Sequence, residues 1–200
     1  MLLNRIEYAL MNNPARAAIQ RHFEARRLLQ MGGSMRGGAA LEIGCGRGVG
    51  ARIILERFEA DTVDAFDLDP RMVRLARRRL ERFGSRVRLW VGDAEFIPAP
   101  DATYDAVFDF GIIHHIPRWR SALDEIRRVL KPKGRFYAEE VLRPFVDHPV
   151  SRRLFEHPQE DRFDREEFCE GLIEAGFDLI AAKEIWRSFA WFVADKRAAV

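Results

Sequence analysis

The residues best suited to chemistry lie in a glycine-rich turn that follows an apolar run, residues 39–43. Its glycines, Gly44, Gly46 and Gly48, alternate with other residues, and an amphipathic stretch begins at Val49. The pattern predicts a buried strand, a tight turn and a helix. Glycine has no Cβ, so a ligand can approach the backbone closely. The N-terminus of the helix adds free N–H groups and partial positive charge. This unit is therefore predicted to bind a ligand.

The residue types around the turn narrow the choice of ligand. The run 46–51, Gly-Arg-Gly-Val-Gly-Ala, fits the dinucleotide pattern G-x-G-x-x-A. Glu42 counts against that interpretation, because a carboxylate beside the turn suits a positively charged ligand better than a pyrophosphate.

The run 42–48, Glu-Ile-Gly-Cys-Gly-Arg-Gly, resembles the glycine loop of the class I S-adenosylmethionine-dependent methyltransferases. In that family the loop wraps the methionine end of the cofactor. The resemblance implies contacts to the cofactor from a set of loop residues. These are Glu42, Gly44, Cys45, Gly46 and Gly48. Cys45 is not expected to act as a nucleophile.

Acids lie at the ends of the next two predicted strands, residues 62–67 and 87–91. At the end of the strand beside the glycine turn, a carboxylate can accept hydrogen bonds from both ribose hydroxyls. The resemblance places the family's ribose-binding acid at Asp67, and Leu68 would then lie against the adenine. It also implies that Asp93 accepts from the adenine amino group and that the Ala94 amide donates to a ring nitrogen. A turn-capping role is the alternative for Asp93.

A fourth predicted strand, residues 104–110, runs into the sequence Gly-Ile-Ile-His-His-Ile-Pro. This stretch resembles the segment after the fourth strand in small-molecule methyltransferases such as the ubiquinone and menaquinone C-methyltransferases. The resemblance implies that Asp109 offers a carboxylate, and Phe110 a carbonyl, to the ammonium of the cofactor. His114 is expected to reach the methyl acceptor.

The implied reaction is in-line transfer of a methyl group from the sulfonium of S-adenosylmethionine to a nucleophile. Alignment and exclusion of water are the main requirements, and a general base is needed only if the acceptor holds its proton. His114 and His115 are the first candidates for a base, followed by His148 and Glu140; capping or packing is the alternative for the two adjacent histidines. Glu139 or Glu140, near the end of a fifth strand over residues 135–142, could face the pocket. Adjacent histidines chelate poorly on regular structure, so no metal site is predicted.

Elements outside the motifs suggest how the site is covered. Residues 1–31 predict two helices, the second capped by Asn13 with Pro14 in its first turn. Its apolar stripe would comprise Ala15, Ala18, Ile19, His22 and Phe23. This extension is either a packing pair or a lid. A glycine-rich, flexible linker, residues 32–38, separates it from a methyltransferase domain, residues 39–200. The segment 143–165 is predicted to cover the substrate.

The resemblance implies a doubly wound α/β fold with sheet order 3-2-1-4-5-7-6 and an antiparallel seventh strand. The family usually has two glycines after the proline of Leu-Lys-Pro; here Lys133 replaces the first. A 200-residue chain suits one domain.

Composition and missing motifs bear on partners and location. A net charge of +2 gives no global basic field for nucleic acid. Two cysteines, no signal-peptide core and no membrane-length apolar run favour the cytoplasm. The absence of an Asn/Asp-Pro-Pro-Tyr type of signature favours a small molecule as the acceptor. The aromatic and apolar residues of the predicted covering segment suggest that this acceptor is partly apolar. The alternatives are a nicotinamide-dependent oxidoreductase, a non-catalytic cofactor-binding partner or sensor, and a methyltransferase of RNA or protein.

Overall fold

A seven-stranded sheet with the strand order β3-β2-β1-β4-β5-β7-β6 forms the centre of the protein. The structure is a computed structural model that describes residues 13–148, 151 and 162–198. The strands are β1 (Ala39–Ile43), β2 (Thr62–Asp67), β3 (Val87–Val91), β4 (Tyr104–Phe110), β5 (Leu130–Val141), β6 (Phe177–Ile185) and β7 (Phe189–Lys196). The predicted sheet order is confirmed.

The direction of the strands brings the predicted site residues to one edge. β1 to β5 pair in parallel, whereas β7 runs antiparallel to both β5 and β6. Because the order reverses between β1 and β4, the loops after these strands diverge and leave a crevice at their carboxyl ends. The fold therefore positions the glycine turn and the acids that follow β2 and β3 around one crevice.

Helices cover both faces of the sheet. They are α1 (Pro14–Ile19), α2 (Ala25–Gly32), α3 (Val49–Arg57), α4 (Pro70–Leu80), α5 (Trp119–Val129), α6 (Arg143–Val146) and α7 (Arg165–Glu174). A π-helical turn, Gln20–Glu24, joins α1 to α2, and 3₁₀ turns occupy Glu81–Arg86 and Ile113–His115. Among the described residues, no helix combines the length and the apolar character needed to cross a membrane.

Two apolar clusters, one on each face, hold these helices to the sheet. On one face Trp119 of α5 and Phe168 of α7 pack with Phe192 of β7. On the other face Leu28 of α2 and Phe58, after α3, pack with other buried apolar residues of that face. Burial on both faces explains why the central strands read as continuous apolar runs rather than as alternating ones.

The N-terminal helix differs from its prediction. Asn13 does cap α1, accepting a hydrogen bond from the Ala15 amide at 2.8 Å. The predicted apolar stripe is wrong, because Ile19 and Phe23 are exposed, and the side that packs on the domain carries Glu24, Ala25 and Leu28. Ala15, Ala18 and Ile19 are exposed before the π-helical turn begins at Gln20, so the helix docks with a polar side rather than with its apolar residues. The first predicted helix lies outside the described residues.

Two connecting segments also depart from expectation. The linker is tethered: the amides of Met35 and Gly37 donate to the carbonyls of Phe58 and Glu59 at 2.8 Å each. The expectation of a free, flexible linker is therefore not supported for residues 35–38. The predicted covering segment, residues 143–165, lies partly outside the described residues. Of its described part, Phe163 is buried against Trp119, with ring centroids 5.0 Å apart.

The turn after α5 places Lys133 in the left-handed region, with φ +63°. An L-residue in that region costs about 1 kcal/mol or more, whereas glycine adopts it without strain but loses more backbone entropy. We expect Lys133→Gly to raise the free energy of unfolding by about 0.5 kcal/mol, measured by urea denaturation. Lys133→Ala, which keeps the Cβ, is the control and should give no gain. A loss of stability with glycine would contradict this account.

Candidate active site

A single crevice at the carboxyl ends of β1, β2 and β4 collects most of the predicted site residues. Nine of the predicted cofactor residues line it: Glu42, Gly44, Cys45, Gly46, Asp67, Leu68, Asp93, Ala94 and Phe110. His115, a candidate base, lines it as well. Gly48 does not; its left-handed φ of +81° makes the turn, and a Cβ there would meet Leu80 of α4 at 2.8 Å.

Glu42 is a buried carboxylate that faces this crevice, and it is only 1 % exposed. It accepts a hydrogen bond from the Ala51 amide in the first turn of α3. Its Oε2 atom is buried and has no hydrogen-bond partner among the described residues. Burial raises the pKa of Glu42 well above its ordinary value, and the nearby charges of Asp67 and Asp109 add to this. A cationic group in the crevice would satisfy the open oxygen and restore the charge.

Gly50 makes this placement of Glu42 possible. A Cβ at position 50 would lie 1.8 Å from Oε1 of Glu42, closer than any non-bonded contact. The Glu42 carboxylate therefore requires glycine at position 50. In a dinucleotide-binding pattern, by contrast, the glycines accommodate a pyrophosphate. Sequence reasoning did not identify this role, because the two residues are eight positions apart and meet only when α3 folds back over β1.

Asp67 links the end of β2 to the glycine turn. Its Oδ2 accepts from the Gly46 amide and its Oδ1 from the Asp69 amide, each at 2.8 Å. A carboxylate has about four lone-pair sites, so both oxygens retain capacity for ribose hydroxyls. Burial raises the pKa of Asp67, although the two amide hydrogen bonds act in the opposite direction. The prediction that Asp67 and the glycine turn belong to one site agrees with these contacts.

The adenine end predicted from the resemblance forms one rim of the crevice. Leu68 is 43 % exposed at this rim, so its apolar side chain is accessible to a ligand in the crevice. Asp93 accepts a hydrogen bond from the Glu95 amide at 3.0 Å, so the turn-capping role considered for it is present. The remaining oxygen of its carboxylate is not occupied by that turn. Ala94 is buried beside it.

Asp109, Glu140 and His114 lie together behind the wall of the crevice and do not line it. Asp109 is fully buried and accepts from the Ile112 amide at 2.9 Å. The expected contact between Asp109 and an ammonium in the crevice is therefore not supported, because its side chain points to the opposite side of the sheet from that of Phe110. Burial and the charge of Glu140 raise the pKa of Asp109 well above its ordinary value.

Glu140 anchors the 3₁₀ turn that carries both histidines. Its Oε1 accepts from the Ile113 amide at 2.7 Å, and its Oε2 lies 2.6 Å from Nδ1 of His114. Burial raises the pKa of Glu140 to about 7. The His114 ring contacts the His115 ring, with centroids 4.1 Å apart and the planes tilted by 39°. His115 is thus held at the crevice by residues behind it. His148, the other candidate base, is exposed and does not line the crevice.

Polar residues of α1 and of the π-helical turn after it reach the crevice, which the sequence did not predict. Arg16 and Gln20 line it. Nη1 of Arg16 lies 2.5 Å from Oε2 of Glu24, and its Nη2 lies 3.7 Å from Oε1 of Glu139. Glu24 and Glu139 are both buried. The four-residue spacing of Arg16, Gln20 and Glu24 was the available signal, because it marks one face of a helix.

Cys45 is buried in the loop, and burial raises the pKa of its thiol well above the ordinary value. A thiol in that state is a poor nucleophile at neutral pH. The expectation that Cys45 does not act as a nucleophile agrees with this.

The glycine turn, the switch in strand order at β1 and the acid that ends β2 define a Rossmann-like domain that binds a nucleoside-containing cofactor. Comparison with known proteins narrows this class. Residues 40–134 match the family model described as a methyltransferase domain. This match, which covers just under half of the chain, together with the fold supports a methyltransferase domain of the class I S-adenosylmethionine-dependent type, whose cofactor is S-adenosylmethionine.

Individual proteins agree with the family match. The chain is 36 % identical to a fatty-acid O-methyltransferase of Mycolicibacterium smegmatis over 58 % of its own length and 42 % of that protein. It is 38 % identical to a ubiquinone/menaquinone biosynthesis C-methyltransferase of Methylobacterium nodulans over 47 % of its length and 37 % of that protein. The chain therefore spans less than half the length of these relatives.

Among solved structures, a chain from a complex that contains the Haloferax volcanii Trm112 methyltransferase activator superposes with a TM-score of 0.77. The superposition covers 93 % of this chain and 95 % of that one at 20 % sequence identity. At this identity the likeness concerns the fold.

The clash at position 50 gives a test of the Glu42 placement. We expect Gly50→Ala to destabilise the protein by about 2 kcal/mol, because the new methyl group must displace Glu42 or α3, although alanine favours the helix. Urea denaturation measures the loss. In Glu42→Asp the shorter side chain makes room, so the double variant should cost less than the sum of the two single variants. Additive losses would show that the methyl group clashes with something other than Glu42.

The buried acids give the protein an unusual pH dependence. Burial holds the pKa of Glu140 at about 7 and those of Glu42, Asp109 and Glu139 well above their ordinary values. The folded state then binds more protons than the unfolded state above the ordinary carboxyl pKa, so stability must fall as pH rises through neutrality. We expect a lower free energy of unfolding for the ligand-free protein at about pH 8 than at about pH 5.5. Urea denaturation at the two pH values measures the difference.

Glu140→Gln is the matched variant, because glutamine stays neutral at both pH values. Its stability should change less between them than that of the wild type. A wild-type stability that is constant or rises over this interval would contradict the raised pKa values.

Proposed function

We propose that the protein transfers a methyl group from S-adenosylmethionine to a nucleophile on a small, partly apolar molecule. The observation that carries the proposal is the open Oε2 atom of buried Glu42, which faces the crevice beside the glycine turn. A buried carboxylate with an unsatisfied oxygen needs a cationic or hydrogen-bond-donating ligand. The methionine ammonium of S-adenosylmethionine is such a group, and the rest of the crevice supports the same cofactor.

The cofactor would extend along the crevice from Glu42 to β3. Glu42 would accept from the ammonium, and the Phe110 carbonyl remains a second candidate acceptor. Asp67 would accept from the two ribose hydroxyls. Leu68, Asp93 and Ala94 would hold the adenine between an apolar surface and polar edge contacts. This order follows the strand ends β1, β2 and β3, which lie side by side in the sheet.

The sulfonium is an activated methyl donor, so the protein's main task is to align the acceptor and to exclude water. Ile112, Ile116 and Phe110 give the crevice an apolar wall next to His115. We propose His115 as the base if the acceptor carries a proton at neutral pH. Glu140 and His114 would act through it, since they hold the turn on which His115 lies.

The apolar wall supports a partly apolar acceptor. The names of the two curated relatives point to a fatty acid and to a quinone precursor, which are both lipophilic. The balanced charge of the chain gives no support for nucleic acid as the acceptor. We also propose a cytoplasmic location, which two free cysteines in the described chain favour.

Binding of the cofactor is the first test. We expect calorimetric titration to show binding of S-adenosylmethionine and S-adenosylhomocysteine, and a loss of at least about tenfold in affinity for Asp67→Ala (about 1.4 kcal/mol), because the ribose hydroxyls lose their acceptor. Asp178→Ala, at an exposed site on β6 outside the crevice, is the matched control and should bind as wild type. Binding of NAD instead, or of none of these ligands, would contradict the proposal.

Transfer itself is measured with S-adenosylmethionine that carries a labelled methyl group. We expect label to move into an apolar acceptor in a panel of fatty acids and quinols, and His115→Ala to reduce this transfer when the acceptor is a protonated hydroxyl. Cofactor binding without transfer to any acceptor would favour the alternative of a non-catalytic, cofactor-binding protein.

A further inference from the structure

Arg16 brings a positive charge to the crevice from α1, on a segment that precedes the sheet. Arg16 lines the crevice together with Gln20, whereas Glu24 and Glu139 do not line it. The two acids lie 2.5 Å and 3.7 Å from the guanidinium nitrogens. At this position a ligand would meet a cation, whereas Glu42 and Asp67 present carboxylates elsewhere in the lining.

Stability alone does not account for this cluster. Glu24 is 6 % and Glu139 is 4 % exposed, and buried ion pairs often stabilise less than apolar residues of the same size would. The Oε2 atom of Glu139 is buried without a hydrogen-bond partner in the part of the chain that the structure describes. Burial and the charge of Glu24 both raise the pKa of Glu139, against the opposing effect of Arg16. Burying Glu24 and Glu139 around the Arg16 guanidinium costs free energy. Such a costly arrangement suggests that the cluster serves function rather than stability.

The arrangement fixes the orientation of the guanidinium. An arginine side chain has five N–H donors in a rigid planar fork. Glu24 and Glu139 engage it from behind, and donors on its other side remain for the crevice. Ile112 and Ile116, which line the same crevice, are apolar. A carboxylate with an apolar body complements both surfaces, whereas an amine would be repelled by the guanidinium and would leave its donors unpaired.

We propose that Arg16 is a carboxylate receptor in the crevice, and that Glu24 and Glu139 are the residues that position it. Two molecules could supply the carboxylate: the methyl acceptor, or the methionine part of S-adenosylmethionine. Binding of the methionine carboxylate rests on the proposed function. Binding of a carboxylate on the methyl acceptor adds a substrate class to that function. The two are separated by ligands that differ only in this group.

The experiment has two arms, both followed by calorimetric titration. The first compares S-adenosylmethionine with decarboxylated S-adenosylmethionine. The second titrates protein saturated with S-adenosylhomocysteine with laurate, dodecylamine or dodecanol, each kept below the concentration at which it forms micelles. These three ligands share one apolar chain and differ in the head group. The variant is Arg16→Gln, and the control is Arg21→Gln, which removes an arginine of the π-helical turn that pairs with Glu56 at 2.8 Å and does not line the crevice.

We expect the wild type to prefer the carboxylate ligand in at least one arm by about tenfold or more. Arg16→Gln should remove that preference and leave the affinity of the ligand without a carboxylate unchanged. Arg21→Gln should keep the preference. The arm in which the preference is lost identifies the source of the carboxylate.

Three results would overturn the proposal: a wild type without a carboxylate preference in either arm, a preference that survives Arg16→Gln, or tighter binding of dodecylamine than of laurate. Thermal unfolding checks that each variant folds. Should Arg16→Gln fail to fold, Arg16→Lys provides the test, because an ammonium keeps the charge without the planar fork and should retain only part of the preference.

Glu24 is tested separately as a positioning residue. Glu24→Gln should reduce the carboxylate preference, since the guanidinium loses its nearest anchor, while the affinity for dodecanol stays the same. A preference equal to that of the wild type would remove Glu24 from the assignment. Failure of these tests is distinguishable from failure of the proposed function, because a wild type that binds neither S-adenosylmethionine nor S-adenosylhomocysteine contradicts the cofactor itself.

Discussion

The buried carboxylate of Glu42 is the constraint on which the site depends. It lies at the end of β1, it is 1 % exposed, and the first turn of α3 closes over it. The helix can approach this closely only because position 50 has no side chain, and the Ala51 amide then hydrogen-bonds to the carboxylate. The helix N-terminus partly offsets the cost of the buried charge. A cationic ligand would offset the rest, so ligand binding and the packing of α3 on β1 are coupled.

A second set of acids acts at a distance from the crevice. Glu140 binds the amide of Ile113 and the ring of His114, and in this way it fixes the turn that presents His115. Asp109 binds the Ile112 amide at the start of the same segment. Both side chains belong to adjacent parallel strands, and they project to the same face of the sheet. The position of His115 at the crevice thus depends on buried groups that a ligand need not touch.

The sequence predicted the fold closely because its signals are local and mutually consistent. The apolar runs of β1 and β4, the cap at Asp69 before Pro70 and the capping box at Asp164 each specify an element from residues near in sequence. The error in α1 has a specific cause. Its apolar residues have helical spacing, but the side that packs on the domain carries Glu24, which is held by Arg16. Periodicity alone cannot show that a helix docks by a buried ion pair.

The sequence by itself determined the strand order, through the resemblance. It also predicted that the glycine turn, Asp67 and Asp93 lie together, because they follow strand ends that a parallel sheet places side by side. Only the tertiary structure decided which side chains face the crevice. Neighbouring residues on a strand point to opposite faces, so Asp109 and Glu140 turn away from the crevice while Phe110 faces it. Arg16 and Glu139 are more than one hundred residues apart, and their contact depends on how α1 docks over β5. That packing is set by the whole core, and no local pattern encodes it.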